Sequence, residues 1–387
     1  MSHALEQTTL LHQAATRGEA LRIFLALLDR HAERIAKTKA RVEDIYRFVT
    51  PDRPVVDFDV SGFNHCGGAW VQSAQDGLLD GQMQQIAFRL ESLPEADFVP
   101  CMSPGTMGSE FIPLMFGAEF DYPADGGAVP KGYLLQSLAD VARLPEVDIR
   151  ETPQGRAVLE NTRFLYELTE GKVNIVYPQM QGPITNTVRL MEQMEVLMAC
   201  AEDPEGMAHF ALTVWRPAIQ VMQEMRAIVG ADSGVLRPRG RFYQPAWVQG
   251  LLVDDYISVI APEQYLAITA EAYRRTVETM GAIFLHTCGP VCQCVPALIA
   301  SPGLVGFEVV FLRGQRKTTE DLRGLKAQLQ GKVVLNSVQL PFGETVHDEE
   351  NLTAEWLAGM TDGGGFMLNA TGTADEGRGL LERLGII

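Results

Sequence analysis

Two periodicities divide this chain. Over residues 4–48 apolar positions recur at helical spacing, as in Leu21, Phe24, Leu25 and Leu28, with Lys and Arg between them, which predicts an N-terminal helical segment over residues 1–50. PDRP (51–54) breaks that pattern. From there short apolar runs of strand character alternate with helical stretches to the end of the chain. The runs are PVVDFDV (54–60), ADFVPCM (96–102), KVNIVYPQM (172–180), VQGLLVDDYI (248–257), AIFLHTC (282–288), LVGFEVVF (304–311), KVVLNSVQL (332–340) and GFMLNAT (365–371). Helical patterning fills 187–200, 205–229, 262–280, 318–329 and 351–360, so the second region reads as parallel βα units. Eight strands of this kind close into a (β/α)8 (TIM) barrel over residues 51–387, an α/β fold carrying the N-terminal helical segment. An open doubly wound sheet is the competing arrangement, but no glycine-rich phosphate fingerprint follows the first strand. AEFDYPADGGAVPKG (118–132) reads as an excursion after the second strand.

Composition narrows the function. The formal charge of −17 repels phosphate backbones and anionic membrane surfaces, which argues against nucleic acid as a partner. The only short basic cluster is Arg237, Arg239 and Arg241. The early apolar run Ile23 to Leu28 is far shorter than the roughly 20 residues of a membrane span. No basic start, apolar stretch and cleavage site of a signal peptide is visible, so a cytoplasmic protein is expected, with its six cysteines as thiols or ligands rather than disulfides.

In a barrel the chemistry sits at the C-terminal ends of the strands. FLHTCGPVCQC (284–294) closes the fifth run, and His286 and Cys288, being two apart on a strand, point to one face. Imidazole and thiolate are zinc ligands, whereas a buried His and Cys can equally be core residues. Other strand ends supply His65 and Cys66 (first), Cys101 (second), Tyr177 and Gln179 (third), Asp254 and Asp255 (fourth), and Asn336 and Gln339 (seventh). Asp254 and Asp255 are candidates for a catalytic carboxylate, an ion ligand or the group that orients His286. His65, Tyr177, Gln179 and Asn336 are candidates for the substrate pocket. Glu308, inside the sixth run, must pair or titrate, because an unpaired carboxylate among apolar neighbours is costly. Met191, Met194 and Met198 read as packing along one helix.

LLVDDYISVIAPEQYLAITAEAYRRTVETMGAIFLHTCGPV (251–291) resembles the uroporphyrinogen decarboxylase superfamily, and within it the zinc-dependent, corrinoid-linked methyltransferases. RFVTPDRPVV (47–56), LMFGAEFDYP (114–123), QGPITNTVRLM (181–191), CAEDPEGM (200–207) and GGGFMLNATGTAD (363–375) agree in order. The resemblance implies one (β/α)8 barrel, often a homodimer, with its site in the central mouth. The decarboxylase branch carries an Arg-rich stretch after the first strand to grip a tetrapyrrole acid, and SGFNHCGGAWVQ (61–72) has no Arg there. The methyltransferase branch holds zinc on an HxC pair plus a distant Cys after the last strand. His286 and Cys288 match the pair, and Thr373 stands at the third position, where a neutral hydroxyl is a poorer zinc ligand than a thiolate. The chemistry implied is methyl transfer between a small methyl donor or thiol and a cobalt corrinoid (cobalamin) carried by a partner protein. Two alternatives stand beside it: a metal-free decarboxylase or lyase using Asp254 or Asp255 with the Arg cluster, and a barrel without zinc that serves as a binding subunit for a corrinoid protein.

Overall fold

The computed structural model describes residues 6–61, 63, 67–105, 108–123, 127–230, 243–287, 292–309, 318–329, 331–337 and 349–387. His65, Cys66, Cys288, Gln339 and the Arg237, Arg239 and Arg241 cluster lie outside them, as does the side chain of Cys292.

Three helices come first, α1 (Glu6–Gln13), α2 (Arg17–Arg30) and α3 (Ala32–Tyr46). Helix α2 starts where Thr16 accepts a hydrogen bond from the Glu19 N–H, and it buries Ala20, Phe24, Leu27 and Leu28, one face at helical spacing. All eight apolar runs contain strand: β1 (Val56–Val60), β2 (Cys101–Met102), β5 (Asn174–Ile175), β6 (Gly250–Val253), β7 (Ile283–Thr287), β8 (Leu304–Val309), β9 (Val334–Ser337) and β10 (Phe366–Gly372). The excursion at 118–132 contains a small antiparallel pair, β3 (Phe120–Asp121) with β4 (Val129–Pro130).

The fold is mixed α/β. Six strands form one parallel sheet in the order β1-β10-β9-β8-β7-β6, and β2 pairs with β5 in a second parallel sheet. Pro100 and Pro178 flank those two short strands, and proline has no N–H for a ladder. At the seam between β1 and β2 the Asp97 N–H donates to the Val56 carbonyl at 2.9 Å.

Register decides which residues face inward. Partners across a parallel ladder share a face, so Val253, His286, Glu308, Asn336 and Met367 lie side by side, and two residues along β10 Asn369 continues the row to Asp57 on β1. The opposite face carries Leu252, Leu285, Phe307, Leu335 and Phe58, and Phe58 packs against Gly377 in the C-terminal helix Ala374–Arg383. The apolar face meets the helices, which leaves the polar row as the inner lining.

The N-terminal helices fasten across the N-terminal ends of the strands. Asp97, 1% exposed, accepts from Thr38 at 3.0 Å, from Arg41 at 3.2 Å and from Arg53 at 2.9 Å, and also from the Val56 N–H at 3.1 Å. Tyr46 reaches beneath β8: a Cβ on Gly306 would sit 2.7 Å from its hydroxyl and 2.6 Å from the ring of Phe284. Gly306 therefore makes room for both groups, and burial pushes the Tyr46 phenol well above its ordinary pKa. Among the described residues no helix is long and apolar enough to cross a membrane.

Candidate active site

His286 stands near the C-terminal end of β7, directly beside Glu308 on β8. Imidazole Nδ1 and carboxylate Oε2 are 2.8 Å apart, with the side chains 1% and 0% exposed. A buried carboxylate needs a hydrogen-bonding partner, and adjacent strands in register supply one. With Nδ1 engaged, the ring orientation is set and Nε2 is the nitrogen directed to any ion or substrate. Glu308 thus performs the orienting task for which Asp254 and Asp255 were the candidates in the sequence. Its need for a partner was readable from its apolar surroundings; the partner was not, because it lies 22 residues away.

Asp254 and Asp255 part company at the end of β6. The Asp254 carboxylate, 0% exposed, is taken up by the first turn of α7 (Pro183–Leu190): it accepts from the Ile184 N–H at 3.1 Å and the Thr185 hydroxyl at 2.8 Å. It also accepts from the Tyr256 N–H at 3.3 Å and the Tyr265 hydroxyl at 3.4 Å. Burial raises its pKa to about 6, against the lowering effect of Thr185 and the backbone donors. Gly182 permits this approach, since a Cβ there would sit 2.4 Å from the Cβ of Asp254. So engaged, Asp254 is a fastening between β6 and α7 rather than an accessible base. Asp255 instead lines a cleft of about 470 Å³ with Thr185, Arg189, Tyr256 and Tyr133, bordered by Pro130 of the hairpin. Burial pushes the Tyr256 phenol up to about 12.

The substrate-pocket candidates also separate. Tyr177 is buried, and its hydroxyl lies 3.5 Å from Gln249, just before β6, rather than at the C-terminal end of that strand. Gln179 is half-buried beyond β5. Asn336 is buried in the inner row next to Glu308.

Thr373 has a different occupation from the one its alignment suggested. It is the exposed N-cap of the helix Ala374–Arg383, accepting from the Glu376 N–H at 3.3 Å and donating to the Glu376 carboxylate at 3.0 Å. A hydroxyl committed in this way is a still poorer metal ligand. Cys294 is likewise structural, since its buried thiol donates to the Ile257 carbonyl at 2.8 Å. Among the described residues no group of three His, Cys, Asp or Glu side chains is arranged to hold a metal, Cys288 being outside them.

Two further features were not legible beforehand. Gln181 has φ of 57° in the left-handed region, is 5% exposed, and buries Oε1 without a partner. The Asn186 amide holds it by donating to the carbonyls on either side, Met180 at 2.9 Å and Gly182 at 3.0 Å. Strain of this kind persists where the surroundings over-determine it, and here it falls between β5 and α7, beyond the C-terminal end of that strand. Asp57 on β1 accepts from Arg89 of the helix Ala74–Ser92 at 2.7 Å, and the Arg89 guanidinium covers the Phe98 ring at 3.8 Å, both charged groups being buried. Burial raises the Asp57 pKa to about 7 despite Arg89, and the pair is neutralised internally instead of gripping an acidic substrate.

No protein-family model and no curated sequence matches the chain. Among solved structures, the fold is similar to that of a methyltransferase from Methanosarcina mazei. The TM-score is 0.56 at 15% identity, over 87% of this chain and 93% of that one. At that identity the likeness shows the fold.

Proposed function

We propose that this chain is a cytoplasmic enzyme on a closed (β/α)8 barrel that moves a methyl group between a small methylated substrate or thiol and a cobalt corrinoid on a partner protein. The observation that carries the reading is the His286–Glu308 pair, a histidine fixed through Nδ1 by a buried carboxylate at the C-terminal strand ends. Closure of the barrel is supported at both ends of the sheet, by the Asp97–Val56 backbone bond and by Asp254 binding the first turn of α7. The sequence likeness to corrinoid-linked methyltransferases and the fold similarity point the same way.

The donor set fits zinc at His286, with Cys288 as the thiolate two residues on, and does not fit it at Thr373. When bound, zinc supplies a thiolate at neutral pH or polarises a methoxy or amine group. The chain's own residues do the rest. Glu308 holds the imidazole in one tautomer, Asp255 and Arg189 offer opposite charges in the cleft beside the mouth, and Tyr256 remains a protonated hydroxyl there. The metal-free lyase reading loses Asp254, which is committed to α7, and rests on Asp255 in the cleft.

A cobalt corrinoid changes colour on methylation. Mixed with free cobalamin and a panel of methylated thiols, methylamines and methoxylated aromatics, the wild type should shift the visible spectrum with one member, and His286→Ala should lose the shift. Release of carbon dioxide from a carboxylated substrate, with no spectral change across the panel, would replace this reading with the lyase.

Thr373→Cys separates the cap from the ligand position. Loss of the hydroxyl should cost about 1 kcal/mol in chemical denaturation. If Thr373 stands at the third ligand position, the new thiolate should also tighten zinc in competition with a chromophoric chelator. Loss of stability without gain in affinity would mean that Thr373 does not stand at the ligand position or that another residue already completes the site.

A further inference from the structure

A second cleft of about 470 Å³ opens at the N-terminal ends of the strands, opposite His286, between the end of α2, the start of α3 and the segments leading into β1 and β2. In a chain of net charge −17 its lining is cationic: Arg30, Arg34, Lys37, Arg41 and Arg53, with His31, against Glu33 and Glu95. Some of that charge is already matched. Arg41 pairs with Asp52 at 2.6 Å and Asp97 at 3.2 Å, Arg53 with Asp97 at 2.9 Å, and Lys37 with Glu33 at 2.8 Å.

Arg34 and Arg30 are not matched. Arg34 donates through Nη1 to the Pro94 carbonyl, but its Nε and Nη2 are buried without a hydrogen-bond partner. Arg30 is exposed at the rim and makes no ion pair among the described residues. Buried guanidinium N–H groups left without acceptors are costly, and the planar fork of arginine matches an oxyanion with two acceptor atoms. Burial lowers the pKa of Arg34, with Asp97 and Glu95 acting in the opposite direction, and burial together with Arg34 and Arg30 lowers that of His31. From within the protein Glu95 and Asp97 compete for Arg34, Glu95 having Oε2 buried without a partner and Oε1 4.0 Å from Arg378, and Ile386 and Ile387 line the same cleft.

We propose that this cleft is a binding site for a small phosphate-bearing anion, held by Arg34 at its inner end and Arg30 at its rim, separate from the methyl-transfer site. The ligand would bridge α2 and α3 to the loops that enter β1 and β2, and so tie the N-terminal helices to the strands. Glu95 occupies part of the field the anion would fill.

Titration of the full-length protein with pyrophosphate at fixed ionic strength tests this, read by calorimetry and by the rise in melting temperature that binding to the folded state produces. Saturable binding is expected in the wild type, about tenfold weaker in Arg34→Gln and weakened also in Arg30→Gln, whose exposed side chain leaves folding untouched. Glu95→Gln should bind more tightly, by about threefold, since it removes a like charge. Absence of saturable binding, binding as tight as the wild type's by Arg34→Gln or Arg30→Gln, or weaker binding by Glu95→Gln would overturn the proposal. Succinate is the carboxylate control, and binding equal to that of pyrophosphate would overturn the assignment to phosphate.

Discussion

Glu308→Gln is expected to lower zinc affinity and methyl transfer together, by about 10–100-fold, the usual cost of removing the group that orients a metal-binding histidine. Glutamine keeps an acceptor near Nδ1 of His286 but removes the charge, and its amide can present N–H instead of oxygen to the ring. The imidazole then loses both its fixed tautomer and part of its basicity. Glu308→Ala goes further. It leaves the buried imidazole without the 2.8 Å partner and opens a hole in the inner row between His286 and Asn336, for an expected loss of about 1–3 kcal/mol from the unsatisfied group alone. Chelator competition measures the affinity, and the corrinoid spectrum measures transfer. A Glu308→Gln protein that bound zinc and transferred methyl groups like the wild type would reduce the pair to a packing contact and remove the main support for a metal at His286.

The strands were legible in the sequence because each is a short apolar run bounded by polar or turn residues, and the runs need only local pattern to be seen. Their lengths were less so. The run at 248–257 yields a strand only over Gly250–Val253, because Asp254 turns its carboxylate onto the next residues and starts a 3₁₀ turn at Asp255–Ser258. Thr373 carried a local signal that competes with a metal role: Thr-Ala-Asp-Glu (373–376) is a capping box, and the structure uses it as one. The His286–Glu308 contact could not be read in that way. It depends on the register of β7 against β8, with a shift between Ile283 and Phe284 that no local pattern announces. Gln181 likewise shows no sequence mark of its left-handed backbone, since Asn186, which clamps it, acts from the helix that follows.

Asp254 should prove the most costly polar residue to remove at this end of the fold. Asp254→Ala would orphan the Ile184 N–H and the Thr185 hydroxyl and break the contact with Tyr265, which itself lies 3.1 Å from the Tyr273 hydroxyl. Several unsatisfied buried groups at about 1–3 kcal/mol each predict a loss of more than about 3 kcal/mol in denaturant unfolding. The pH dependence has a definite sign. The folded-state pKa, about 6, lies above the ordinary 3.8, so the folded chain binds this proton more tightly than the unfolded one. The contribution of Asp254 is therefore fully present below about pH 4 and is lost as the pH rises through about 6, by an amount on the order of 3 kcal/mol. Other carboxylates add slopes of their own, so the comparison must be with Asp254→Asn, which cannot titrate. Between about pH 4 and 6 the wild type should lose stability relative to Asp254→Asn, and above that range the difference should stay constant. Parallel profiles across the whole range would mean that Asp254 ionises in the folded chain as easily as in the unfolded one. The helix N–H groups of Ile184 and its neighbours would then stabilise the carboxylate enough to cancel its burial.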